Sequence, residues 1–163
     1  MKNLQLAVAV AASILVLAPG SGPGSSSGTT GVRIYFPRGD PGIQCSRVFP
    51  VLRRVGTPAV LKGAMNALLR GPTRVERRRG FGGWFSSGTA GMLRSVRLTG
   101  SVAYVDFKDM RRVIPNASSS CGSGLLLAQL DRTATQFPTV RRAIYSFNGS
   151  RIAFYEWLQL SPP

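Results

Sequence analysis

An amphipathic helix that ends at a proline constrains this chain more than any other feature. Its apolar residues recur at spacings of four, four and three: Leu126, Leu130, Ala134 and Phe137. Such spacing places them on one face of a helix, and Gln129, Asp131 and Arg132 fall off that face. Three serines at 118–120 can cap the first free N–H groups. Pro138 ends the helix because it restricts the residue before it and donates no backbone hydrogen bond.

Two β-rich segments follow this helix, at 140–147 and 151–158. Asn148 and Gly149 lie between them, and an Asn-Gly pair between such segments is a strong signal for a tight hairpin. The sequence from 118 to 157 therefore predicts a helix followed by a β-hairpin.

The preceding part of the chain has a similar order of elements. Val32, Ile34 and Phe36 alternate with polar residues and predict a first strand, and 48–55 predicts an edge strand containing a proline. Thr57 and Pro58 open a second amphipathic helix that extends to residue 70. Strands at 93–98 and 102–107 follow, and a short turn at 99–101 joins them.

The order helix, hairpin, helix, hairpin is a loose quasi-repeat. We expect an α+β fold in which two helices pack on one face of a mixed, mostly antiparallel sheet.

The N-terminal segment predicts the compartment. One lysine precedes an apolar stretch of about fifteen residues, which is the length of a signal peptide and short for a spanning helix. We predict that 1–19 is a signal peptide or an uncleaved N-terminal anchor, and that the Gly- and Ser-rich stretch 20–31 is a flexible linker.

The charge of the chain limits its chemistry and its partners. The formal net charge is +15, so anionic partners must be considered. The sequence contains no histidine, which removes the commonest general base and metal ligand. We therefore expect no cofactor and no metal site.

The segments that carry a family resemblance are LRGPT at 69–73, SGT at 87–89 leading into LRSV at 93–96, VAYVDF at 102–107, TQFPTV at 135–140 and FYEWL at 154–158. In this order the chain resembles the GerMN domain family of sporulation and spore germination proteins. The resemblance covers roughly residues 32–160, which we predict to be one GerMN-like domain. It implies an exported or tethered protein and a small fold similar to ring-building motifs, and it implies no catalytic residues.

Two cysteines in a chain with an export signal favour a structural disulfide between Cys45 and Cys121. Free thiols or an intermolecular bridge are the alternatives. A cysteine nucleophile at the start of the helix lacks a histidine base, so capping serines and a disulfide explain these residues with fewer assumptions.

Asp106 and Asp109 lie close together at the end of a predicted strand. A carboxylate pair can serve glycoside hydrolysis, but pairing with Arg111 or Arg112 in a turn explains the same residues.

A long connection at 73–91 contains the candidate binding surface: Arg77, Arg78, Arg79, Phe81 and Trp84. Guanidinium and aromatic groups together are typical of a platform for single-stranded nucleic acid. Alternatively, the aromatic side chains fold back to cover the first helix.

We expect a non-enzymatic, extracytoplasmic interaction or assembly module of the cell envelope, secreted or membrane-anchored by its N-terminal segment. The expected partner is an envelope protein, an anionic wall polymer or the membrane surface, with self-association left open. The alternative functions are a basic nucleic-acid-binding protein and, ranked lower, an envelope hydrolase that uses Asp106 and Asp109.

Overall fold

A computed structural model describes residues 28–39 and 44–163 of the chain. The predicted signal or anchor segment and most of the predicted linker lie outside the described residues. The elements in chain order are β1 (Thr30–Phe36), β2 (Phe49–Val55), α1 (Val60–Leu69), α2 (Arg74–Arg78), β3 (Leu93–Thr99), β4 (Val102–Phe107), α3 (Ser120–Ala134), β5 (Arg142–Phe147) and α4 (Arg151–Trp157). Among the helices of the described chain, none is both long enough and apolar enough to cross a membrane.

The strands form two separate sheets. β1 and β2 pair as an antiparallel hairpin, while β3, β4 and β5 form a second sheet in that order. In the second sheet β3 runs antiparallel to β4, and β4 runs parallel to β5. The α+β class and the mixed strand directions are therefore confirmed, although the strands are divided between two sheets.

The core lies where α1 and α3 contact each other and the inner faces of the strands. The predicted helical stripe is confirmed in α3, because Leu126, Leu130 and Ala134 are fully buried. β1 contributes its alternating apolar residues, of which Ile34 and Phe36 are fully buried. Periodicity in the sequence thus identifies the faces that meet in the core.

The second predicted hairpin is wrong, and with it the second half of the quasi-repeat. Asn148 and Gly149 do adopt positive φ angles of 48° and 86°, but the chain leaves this turn as the helix α4. Ser150 caps α4, since its Oγ accepts a hydrogen bond from Ala153 N at 3.1 Å. β5 pairs with β4 instead of with a strand at 151–158.

Aromatic packing explains why 151–158 is helical. In a helix, residues three and four apart share a face, and this spacing brings Phe154, Trp157 and Leu158 together. The Phe154 ring then lies 5.0 Å from the Phe147 ring and 5.4 Å from the Tyr145 ring, measured between centroids. A strand would direct alternate aromatic side chains away from this cluster.

Two predicted boundaries also shift. α1 begins at Val60 rather than at Thr57, because the Thr57 hydroxyl accepts from Ala59 N at 3.2 Å in a turn that precedes the helix. β1 begins at Thr30, inside the segment predicted as linker.

Candidate functional site

The segment after α1 begins with a short helix that sequence periodicity did not reveal. α2 is only five residues long, yet both hydrogen bonds of a capping box hold its start. Thr73 Oγ1 accepts from Glu76 N at 3.2 Å, and Glu76 Oε2 accepts from Thr73 N at 2.6 Å. The motif Thr-x-x-Glu is visible in the sequence and could have predicted this helix.

Arg53 of β2 clamps α2 to the rest of the domain. Its guanidinium donates to Ala67 O at 2.8 Å and Gly71 O at 3.0 Å, two carbonyls near the end of α1. The same group forms an ion pair with the Glu76 carboxylate, and both side chains are only 14% exposed. Arg53 therefore joins β2, α1 and α2 through one side chain.

The contacts with Arg53 and Thr73 change the pKa of the Glu76 carboxyl. Burial alone would raise its pKa, but hydrogen bonds from Arg53 and Thr73 outweigh burial and hold the pKa below its ordinary value. Glu76 is the only acidic residue between 73 and 91. Because the Glu76 carboxylate already pairs with Arg53, segment 73–91 has no other carboxylate that could neutralise its arginines.

A cluster of exposed arginines surrounds α2, and we call it the α2 basic surface: Arg38, Arg74, Arg77, Arg78 and Arg79. The structure thus places the three predicted arginines at the surface and adds two that sequence reasoning missed. Arg74 belongs to the same helix and could have been found from the Thr-x-x-Glu motif.

Arg38 reaches the α2 basic surface through long-range backbone contacts. Gly39 N donates to Gly80 O at 2.9 Å, and Gly82 N donates to Pro37 O at 3.0 Å. The Arg38 side chain donates from Nε to Arg79 O at 3.0 Å, and its guanidinium carbon lies 5.6 Å from the Phe81 ring centroid. No local signal in the sequence connects Arg38 with a segment forty residues later.

The aromatic residues of the segment pack inward. Trp84 is half-buried, and its indole Nε1 donates to Gly122 O of α3 at 3.1 Å. Phe81 is half-buried and Phe85 is almost completely buried. The guanidinium groups and the aromatic rings therefore do not form one exposed platform, and Trp84 covers α3 rather than the first helix.

Gln129 of α3 is a buried partner that the apolar stripe did not predict. Its side chain is fully buried, and its Oε1 accepts from Trp84 N at 3.3 Å. Gly83 has a φ of +120° beside it, and a Cβ at this position would lie 2.5 Å from Gln129 Nε2. The close approach of the loop to α3 thus requires glycine.

The two carboxylates considered for hydrolysis each have their own arginine. Asp106 accepts from Arg94 at 2.5 Å, Ser146 Oγ at 2.7 Å and Gly149 N at 2.8 Å. Asp109 pairs with Arg111, whose hydrogen bonds lower the pKa of the Asp109 carboxyl. Both carboxylates therefore act as structural hydrogen-bond acceptors.

The two cysteines are joined by a disulfide. Cys45 and Cys121 lie 76 positions apart in sequence, with 4.8 Å between their Cα atoms. Ser119 caps α3 through a hydrogen bond from Gly122 N at 3.2 Å. The disulfide interpretation is confirmed, and the alternative of two free thiols is wrong. Within the described residues, no group of three or more His, Cys, Asp or Glu side chains could hold a metal ion.

Comparisons with known proteins agree with the fold. A search of curated proteins returns no significant match. A solved structure of the tandem GerMN domains of the sporulation protein GerM from Bacillus subtilis matches with a TM-score of 0.53 and 17% identity. The match covers 81% of this chain and 43% of that chain, so this chain spans less than half of that protein. At this identity the likeness shows the fold alone.

The sequence also matches a family model. The model is Germane, described as sporulation and spore germination, and it matches residues 33–153. Since this range is well over half of the chain, the protein belongs to the Germane family of sporulation and spore germination proteins.

Proposed function

We propose that this protein is a non-enzymatic binding module of the cell envelope, which acts outside the cytoplasm in sporulation, germination or envelope assembly. In this proposal the α2 basic surface contacts an anionic partner: a wall polymer, lipid headgroups or an acidic protein surface. The observation that carries the proposal is a cluster of exposed arginines on a rigid frame, in which Glu76, the one acidic residue of segment 73–91, is already paired with Arg53.

Rigidity is the first argument for a binding surface. The capping box, the Arg53 clamp and the backbone contacts from Gly39 and Gly82 hold α2 and its neighbours in one geometry. A surface that is ordered before binding loses less entropy when its partner arrives. Arginine also suits phosphate and carboxylate partners, because its planar group offers parallel donors.

The compartment is supported by the disulfide. Disulfides persist in oxidising environments and are rare in the cytosol. The Cys45–Cys121 bond, together with the apolar N-terminal sequence, therefore supports an extracytoplasmic location.

The non-enzymatic part of the proposal rests on the titratable groups. The chain contains no histidine, and the carboxylates of Asp106 and Asp109 are engaged by Arg94 and Arg111. The family is described by a biological process rather than by a reaction.

Nucleic acid is a weaker candidate partner. Base stacking needs exposed aromatic faces, whereas Trp84 is hydrogen-bonded to α3 and Phe85 is buried. Single-stranded DNA serves as a comparison ligand in the experiment that follows.

The experiment measures binding to isolated cell-wall material and to anionic lipid vesicles. The test variant is Arg77→Gln/Arg78→Gln/Arg79→Gln, and the matched control is Arg112→Gln/Arg141→Gln/Arg142→Gln, which removes the same charge from exposed residues elsewhere. An arginine near an anionic surface contributes about 1 kcal/mol, so the test variant should bind on the order of 100-fold more weakly at low salt. Both variants should keep the wild-type melting temperature.

An equal loss in both variants would show that only net charge matters. Undiminished binding by the test variant would place the contact elsewhere. Tighter binding to single-stranded DNA than to both envelope materials would favour the nucleic-acid alternative.

A further inference from the structure

A polar cleft of about 620 Å³ lies on the outer face of the three-stranded sheet. In β4, Ala103, Val105 and Phe107 point into the core. Because successive side chains of a strand alternate between its faces, Tyr104 and Asp106 line the cleft on the opposite side. The volume falls within the range of about 300–1,000 Å³ that is usual for small-molecule sites.

The floor of the cleft is a cross-strand row of three polar residues. Ser95 of β3 pairs with Asp106 of β4, which pairs in turn with Ser146 of β5. Asp106 Oδ1 accepts from both Ser146 Oγ and Gly149 N, and its Oδ2 accepts from Arg94. The Asp106 carboxylate is thus held in place by groups of the protein itself.

A β-bulge provides the arginine that neutralises Asp106. The β3–β4 register shifts between Leu93 and Ser95, which leaves Arg94 outside the regular pairing. Bulges re-aim side chains in this way, and here Arg94 pairs with Asp106 on the cleft face. The one negative charge in the cleft is therefore already compensated.

Two further arginines line the cleft without an acidic partner. Arg97 and Arg151 form no ion pair within the described ranges. The Arg97 guanidinium carbon lies 5.2 Å from the centroid of the Tyr104 ring, a stacking contact that restrains the side chain. Arg97 and Arg151 in the cleft, together with Arg94 beside it, thus give three guanidinium groups against one carboxylate, which leaves an excess of two positive charges.

We propose that this cleft binds a phosphate group carried by a small polar molecule. The guanidinium groups of Arg97 and Arg151 neutralise the phosphate, and the hydroxyls of Ser95 and Tyr104 supply further donors. A phosphate monoester carries close to two negative charges at neutral pH and has three strong acceptor oxygens, which matches the charge excess and the number of donors. Asp106 is a positioning residue, because it accepts hydrogen bonds from Ser146 Oγ and Gly149 N, two groups of residues that line the cleft.

The site is separate from the α2 basic surface, so either proposal can fail without the other. No residue of the α2 basic surface lines the cleft.

The test is an NMR titration of the isotopically labelled protein with glycerol 3-phosphate and with inorganic phosphate. Sodium chloride keeps the ionic strength constant, and acetate is the control anion. We expect saturable shifts confined to amides near residues 95–97, 104–106 and 146–151. Glycerol 3-phosphate should bind more tightly than inorganic phosphate, because in this proposal the molecule that carries the phosphate also contacts the cleft.

Variants identify the groups that bind. Arg97→Gln and Arg151→Gln should each weaken glycerol 3-phosphate binding tenfold or more, whereas Arg54→Gln/Arg132→Gln, at two exposed arginines outside both the cleft and the α2 basic surface, should leave it within twofold of wild type. The amide spectrum of each variant reports whether the fold is retained.

Shifts distributed over arginines of the whole surface, or full affinity in both Arg97→Gln and Arg151→Gln, would overturn the proposal. Equal affinity for acetate would exclude a phosphate-specific site. If inorganic phosphate binds as tightly as glycerol 3-phosphate, the site recognises the free ion rather than a phosphorylated molecule, and the proposed ligand class is wrong.

Discussion

Replacing both cysteines of the disulfide with serine should lower the free energy of unfolding by about 4.5 kcal/mol at 25 °C. The magnitude follows from the 76-residue separation of Cys45 and Cys121, because a cross-link removes the entropy of closing that loop from the unfolded chain. The bond also ties the segment before β2 to the first turn of α3. At about 2–4 °C per kcal/mol for a chain of this size, the melting temperature should fall by on the order of 10–15 °C.

Urea unfolding of the oxidised protein, the reduced protein and the Cys45→Ser/Cys121→Ser variant measures this contribution. The reduced protein and the variant should agree within about 1 kcal/mol, since both lack the same loop constraint. A reducing agent should leave the variant unchanged, which controls for effects of the reagent itself.

Two titratable thiols in the unfolded, non-reduced protein would refute the reasoning, because the bond would then not exist. A stability difference below about 1 kcal/mol between oxidised and reduced protein would also refute it, since the loop constraint would then be far weaker than the chain-entropy relation requires.

Two other predictions concern the segment after α1. Trp84→Ala should lower the free energy of unfolding by about 2–3 kcal/mol, because the half-buried indole loses its packing and its hydrogen bond to Gly122. Trp84→Phe should lower the free energy of unfolding, measured with urea, by about 1 kcal/mol. Wild-type stability of Trp84→Ala would contradict the contact with α3. The pKa of Glu76 lies below its ordinary value of 4.5 in the folded protein, so the Arg53–Glu76 pair contributes stability above pH 4.5 that is lost as the pH falls through the folded pKa. Glu76→Gln should remove this part of the acid destabilisation in thermal melts between pH 7 and 3, and identical pH profiles of the two proteins would show that the pair contributes nothing.

Elements whose signals are local were predictable from the sequence. The two strand segments predicted at 93–98 and 102–107 and the turn between them predict the β3–β4 hairpin, which the structure confirms. The apolar stripe of α3 likewise identifies its buried face. Helix and hairpin patterns repeat over two to four residues, so neighbouring positions carry enough information to indicate them. The α+β class was predictable from the order of the predicted helices and strands, and the cysteine pairing from a count of two cysteines in a chain with a predicted export signal.

The course of the chain after Asn148 was decided by tertiary packing. Its turn signal and β-rich composition are compatible with a strand, but Phe154 becomes buried against Phe147 and Tyr145 only if the segment is helical. Local propensity differs by at most about 1 kcal/mol per residue, whereas complete burial of one aromatic side chain contributes about 1.5–3 kcal/mol. A contact with residues brought near by the fold can therefore override the local preference.

The sequence by itself determined the basic charge of the chain, the Thr-x-x-Glu cap of α2 and the three arginines that follow it. Only the tertiary structure decided that Trp84 turns inward to α3, that Arg38 joins the α2 basic surface, and that Ser95, Asp106 and Ser146 form one row. The physical reason is the range of the interactions. Capping and periodicity depend on residues within one helical turn, while the α2 basic surface and the polar cleft each include contacts between residues about forty positions apart, which meet only when the core forms.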